Sequence, residues 1–192
     1  WASPPPLDAY TAIELKMDIY SPVDPPPGKR PPFLCVHGGG YVGGEDEKEN
    51  CNVASRMFAS AGFVAFTIDY RLSEDMGNVP RGWPKTNATD LFWMPTYAYP
   101  ALRDAKAAVR FIRANAAAYN VDPAYLTAYG GSAGGCTVVA LGLLHEGDYK
   151  GEIAAADDPT LATTHLAQSS DVSLVLDHWG SDYMAWRARR IK

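Results

Sequence analysis

Short strand-like runs that are mostly apolar, separated by longer stretches with helical spacing, restrict this chain to a narrow set of architectures. Phe33-Leu34-Cys35-Val36, Phe63–Ile68 and Tyr125–Tyr129 are such runs, and Val172–Leu176 is a fourth. A strand without polar alternation must be covered on both faces, which is the condition of a parallel sheet layered by helices. The intervening stretches supply them. Glu47–Ala61 carries Val53, Met57 and Phe58 and stops at Gly62; Pro100 opens Ala101–Tyr119, with Leu102, Ala105, Val109, Ile112 and Ala116 on one stripe; Ala133–His145 is apolar. This rhythm predicts an α/β fold, a doubly wound and mostly parallel sheet, in a single domain over residues 1–192. Thr11–Tyr20 alternates instead, with Ile13, Leu15, Met17 and Ile19 on one face, and predicts a half-buried antiparallel edge strand.

Ser73–Tyr99 is long, polar and aromatic with no period, the pattern of a lid or binding loop. The net charge is −5 and the pI about 5.3, and no basic stripe runs through the body of the chain, so neither nucleic acid nor an anionic membrane is an expected partner. Arg187, Arg189, Arg190 and Lys192 form one cationic cluster, read as a solvated helix end. No apolar run is long enough to span a bilayer. The first residue is Trp1 rather than Met, which suggests a trimmed start, and Asn87-Ala88-Thr89 is a glycosylation sequon in a stretch expected to be exposed, which points towards secretion. Cys35, Cys51 and Cys136 are three in number, leaving at least one thiol free or paired between chains. Apolar surroundings make buried free thiols the expectation for Cys35 and Cys136. The cysteine spacing has no metal-ligand logic, and neither a metal nor an organic cofactor is expected.

Two motifs carry chemistry. Gly130-Gly131-Ser132-Ala133-Gly134 fits G-x-S-x-G between a predicted strand and a predicted helix. So tight a turn requires flanking residues without bulk, exposes the Ser132 hydroxyl and aims a helix N-terminus at it. His37-Gly38-Gly39-Gly40-Tyr41 follows the first buried run and matches the HGGG type of oxyanion loop. If Ser132 attacks an acyl carbon, the backbone N–H groups of Gly39, Gly40 and Ala133 are the expected donors to the developing oxyanion. A dinucleotide loop fits poorly, because Gly38-Gly39-Gly40 lacks the G-x-G-x-x-G spacing.

His37–Tyr41, Asp69-Tyr70-Arg71-Leu72, the helix start at Pro100–Asp104 and Tyr129–Gly135 together resemble the carboxylesterase branch of the α/β-hydrolases, including hormone-sensitive-lipase-like and feruloyl or acetyl-xylan esterase-like groups. The resemblance covers about residues 11–182. It implies an ester hydrolase acting through an acyl-enzyme on Ser132, with a small ester as substrate. By the same resemblance Tyr70, Arg71 and Asp104 are structural and His37 fixes the oxyanion loop, while Tyr41, Trp83, Phe92, Trp93 and Tyr97 are candidates to contact substrate. Gly131 departs from the pattern, since many relatives carry Asp or Glu before the serine.

The fold places the triad acid and histidine after the nucleophile. His145 lies 13 positions along the helix from Ser132, roughly 20 Å at 1.5 Å per residue. Asp177 and His178 are strand neighbours whose side chains point to opposite faces. His165 sits in a polar stretch, Ala156–Ser170, with no predicted element to hold it. The resemblance therefore implies that the acid and base lie on polypeptide after residue 192 or on a second chain covering the flank of the last strand. An amidase or arylformamidase shares this chemistry; a catalytically inactive hydrolase fold used for binding is the alternative from another class.

Overall fold

The computed structural model describes residues 14–25, 27–75, 94–154 and 164–184. Asn87, Trp83, Phe92, Trp93 and the cationic cluster at 187–192 lie outside the described residues. Five strands form one sheet: β1 (Met17–Tyr20), β2 (Pro32–Val36), β3 (Val64–Ile68), β4 (Thr127–Gly131) and β5 (Leu174–His178), in the spatial order β1-β3-β2-β4-β5. β2 through β5 run parallel, and β1 pairs antiparallel to β3 at one edge. Three helices cover the faces: α1 (Glu45–Ser60), α2 (Met94–Ala114) and α3 (Ala133–Leu143).

The uninterrupted apolar runs now have their reason. Leu34 and Val36 of β2 enter the large core shared with α2 and α3, while Phe33 and Cys35 enter the smaller one shared with α1. Phe33 stacks on Phe58 of α1 at 3.8 Å between ring centroids and meets Phe63 edge-on. Thr67 of β3, fully buried, pairs its hydroxyl with Ser55 of α1 at 2.8 Å, which keeps that polar pair satisfied in the dry interface.

Several elements differ from the expectation. α2 begins six residues before Pro100 rather than after it. Proline in a helix interior removes an amide donor; burial of Tyr97, Ala98 and Tyr99 outweighs that loss and extends the helix into the core. The same helix stops at Ala114, and a turn ending in left-handed Asn120 follows. On α1, Val53 and Met57 face solvent at 45% and 68% exposure; its inner stripe consists of Cys51, Ala54, Ser55 and Phe58. β4 starts two residues later than predicted, so Gly130 and Gly131 belong to the strand. β5 is shifted likewise and is not buried: it pairs with β4 on one side, and among the described residues nothing pairs with its other edge, leaving Leu174 53% exposed.

Cys35 and Cys51 form a disulfide, overturning the expectation of a buried free thiol at Cys35. The alternation of β2 turns Cys35 toward α1, where Cys51 meets it with a Cα–Cα distance of 5.6 Å. Cys136 is free and buried. Among the described residues no helix is long and apolar enough to cross a membrane, and no group of His, Cys, Asp and Glu is arranged to hold a metal ion.

One face of α2 is lined with buried cations that donate to main-chain carbonyls: Arg103 to Lys150, Lys106 to His145, Glu146 and Asp148, and Arg110 to Thr164. Burial is the largest influence on the Lys106 ammonium and lowers its pKa from 10.5 to about 8. Between those values the unfolded chain carries the proton and the folded chain does not, so stability rises with pH across that window. Denaturant midpoints measured from pH 7 to pH 9, below the range where tyrosines of the unfolded chain ionise, should show this rise in the wild type, and Lys106→Met should flatten it.

Candidate active site

β4 delivers the chain to Ser132, and α3 begins at the next residue. Ser132 has φ 53° and ψ −121°, outside the comfortable regions for an L-residue. Such a conformation costs about 1–3 kcal/mol and persists only where its surroundings determine it. Here they do. The Ser132 N–H donates to the His178 carbonyl at the end of β5 at 3.1 Å, and the Ser132 carbonyl accepts from the Cys136 N–H at 2.9 Å. The two flanking glycines are obligatory for space: a Cβ on Gly134 would lie 1.9 Å from the Val36 carbonyl oxygen, and one on Gly130 would lie 2.4 Å from the Gly134 carbonyl carbon. The Ser132 hydroxyl makes no capping bond to α3, and the residue is partly exposed. The Ala133 N–H, as the first of the helix, has no intrahelical acceptor.

The glycine loop leaves the adjacent strand. β2 and β4 pair in register, Val36 opposite Gly130, so His37–Tyr41 and Gly131–Ser132 emerge side by side from the same end of the sheet. Gly39, Gly40 and Tyr41 are consecutive left-handed residues, with φ of 92°, 61° and 63°. The Gly39 carbonyl accepts from the N–H groups of Val42 and Gly43, folding the loop back on itself. Beneath it, the Tyr70 hydroxyl lies 2.9 Å from the His37 carbonyl oxygen and 2.8 Å from that of Gly38, and the His37 ring stacks on Tyr70 at 4.2 Å. His37 Nδ1–H donates to the Gly38 carbonyl at 2.9 Å, and the ring is buried. This histidine braces the loop. Behind Tyr70, Arg71 and Asp104 form a buried pair in which both the backbone N–H and the guanidinium of Arg71 donate to the carboxylate.

Tyr41 does not line an open pocket. It has no exposed surface; its hydroxyl donates to the Ala133 carbonyl at 2.8 Å and lies 3.1 Å from Thr137 Oγ1. Burial is also the main reason its pKa is raised well above that of a free phenol. A ligand cannot reach a side chain so enclosed, so the expected substrate contact is corrected to a tie between the loop and the start of α3. Tyr97 is likewise buried.

Among the described residues no histidine hydrogen-bonds to the Ser132 hydroxyl. His178 Nδ1 lies 3.2 Å from the Tyr129 hydroxyl, Asp177 accepts instead from the Gly180 N–H, and His165 stands near Phe111 of α2. Trp179 is a neighbour that the sequence pattern did not reveal. It is left-handed, 67% exposed, and its ring lies 3.3 Å from where a Cβ on Gly131 would be. The signal was present in Gly131: a residue without a side chain beside Ser132 leaves room for a neighbour's ring.

The BD-FAE family model matches residues 17–82 and 93–190. Gut esterase 1 of Caenorhabditis elegans is 29% identical over 119 residues, covering 59% of this chain and 18% of that protein. Carboxylesterase 3 of Homo sapiens is 30% identical over 139 residues, covering 68% of this chain and 22% of that protein. Among solved structures, a thermophilic esterase from Thermogutta terrifontis with butyrate bound superposes with a TM-score of 0.61 at 26% identity, covering 86% of this chain and 50% of that one. The chain thus spans about half of the structural neighbour and about a fifth of the curated relatives.

Proposed function

This chain belongs to the BD-FAE family of α/β-hydrolase-fold esterases, and from that membership we propose that it supplies the nucleophile and the oxyanion pocket of a serine carboxylesterase. In this reading Ser132 Oγ attacks the carbonyl carbon of a small carboxylic ester. Negative charge grows on the carbonyl oxygen and meets the N–H groups of Gly39, Gly40 and Ala133 at the N-terminus of α3. The alcohol leaves, and water hydrolyses the acyl-enzyme on Ser132. The observation that carries the reading is a strained serine held beside a left-handed glycine loop, with Tyr41 joining the two. No cofactor enters this chemistry.

The triad acid and histidine, in this proposal, come from polypeptide that pairs with the open edge of β5, completing a single hydrolase domain. The Cys35–Cys51 disulfide and the Asn87 sequon support maturation in an oxidising, secretory compartment. The butyrate bound to the Thermogutta esterase supports a short acyl group.

A fluorophosphonate probe applied to the full-length protein tests the assignment. Labelling should map to the peptide containing Ser132. A folded preparation that takes no label would reject the esterase and leave a hydrolase fold used for binding. The loop can be tested separately. A methyl group on Gly39 would sit 1.9 Å from the Gly43 carbonyl oxygen, on a backbone at φ 92°. Gly39→Ala should therefore displace the donors and lower kcat by about 10²–10³-fold, with the far-ultraviolet circular dichroism unchanged.

A further inference from the structure

The disulfide lies across the base of the glycine loop. Cys35 is the penultimate residue of β2 and Cys51 lies in the second turn of α1, so the bond closes a ring of separation 16 that contains every residue of His37–Gly44. We propose that Cys35 and Cys51 are positioning residues for the oxyanion pocket: their bond fixes the two stems of the loop against each other and thereby holds the Gly39 and Gly40 amides in place. The inference rests on the esterase reading for its kinetic consequence, but not for its structural one.

Three observations carry it. The loop apex is strained, with a non-glycine residue, Tyr41, left-handed beside two left-handed glycines, and such a backbone survives only when its ends are fixed. One stem, β2, is locked between β3 and β4. Among the described side chains, the other stem, the beginning of α1, has few buried anchors besides Cys51; the His37 ring lies against Gly44. Gly44 provides no side-chain cap there, and of residues 48–54 only Cys51 is buried. The Lys48 ammonium reaches Asp18 and Asp69 at 3.1 and 2.8 Å, with all three side chains partly solvated, so this tie is weaker and more salt-sensitive than a covalent one. Ser55, one turn on, bonds Thr67, the register partner of Cys35, so the covalent tie and the nearest firm polar tie fall on one rung of the sheet. Cys35 and Cys51 are 0% and 4% exposed, which suits a permanent fastening rather than a reversible switch.

The test compares full-length wild type with Cys35→Val/Cys51→Ala, which keeps the site apolar while removing the bond. Amide hydrogen exchange followed by mass spectrometry should show residues 38–44 exchanging about 10-fold faster or more, with β3 and β4 unchanged. Turnover of p-nitrophenyl acetate should lose kcat about 10-fold or more while KM stays within about twofold, the split expected when a transition-state donor is displaced. Unchanged loop exchange, or a loss of protection spread evenly over the sheet, overturns the proposal whatever the kinetics. Faster loop exchange in a protein whose wild type never turns over an ester keeps the fastening and removes the esterase. If the double variant does not fold, the same comparison is made on one sequence, produced oxidised and, from a reducing cytosol, with both thiols free.

Discussion

Ser132→Ala should eliminate fluorophosphonate labelling and lower ester turnover by about 10⁴-fold or more, the scale on which loss of a serine nucleophile acts when the remaining machinery is intact. The substitution removes one oxygen that makes no capping bond to α3, so it withdraws no support from the helix. It also leaves the backbone with the same φ of 53°, which alanine tolerates no better than serine. The melting temperature should therefore stay close to that of the wild type, and this separates the nucleophile from a structural serine. A wild type and Ser132→Ala that hydrolyse p-nitrophenyl acetate at equal rates would remove the residue from the chemistry. Labelling of Ser132→Ala as strong as that of the wild type would do the same.

The largest effect on stability should come from Asp104→Ala. Arg71 and Asp104 are 4% and 6% exposed, and the carboxylate accepts from both the main chain and the guanidinium of Arg71. Removing the acid takes the carboxylate from a buried guanidinium, a change worth about 3–5 kcal/mol. A urea unfolding midpoint measures it. A double replacement, Arg71→Met with Asp104→Leu, should recover much of the loss, because it also removes the buried charge that the carboxylate balances. Arg71 follows Tyr70, whose hydroxyl holds the His37 and Gly38 carbonyls. Asp104→Ala should thus also lower kcat in the fraction that remains folded.

The layering of the fold was readable because β2 and β3 are apolar on both faces, a pattern that few architectures accommodate. The glycine motifs were readable because their bulk is restricted by the turns they make. What was hidden depended on tertiary placement. Pro100 reads locally as a helix start, yet Tyr97–Tyr99 are drawn into the core and the helix begins before it. Val53 and Met57 read as an inner stripe, but α1 is rotated so that Cys51 and Ser55 face the sheet. Tyr41 reads as a substrate contact because it adjoins the glycines; its left-handed backbone turns the ring inward beneath α3. Nothing in the spacing of three cysteines could reveal a pairing that depends on that rotation.

Tyr41 and Ala133 are 92 positions apart, yet one hydrogen bond joins them. The contact exists only after β2 and β4, between which α1, β3 and α2 lie in sequence, have come together as neighbours. Contacts so distant along the chain form late and slowly, because the intervening loop must close before they are rewarded. Competence to react at Ser132 should consequently appear at the end of refolding, after most helical signal has returned, which makes covalent capture by a phosphonate a clock for closure of the central sheet.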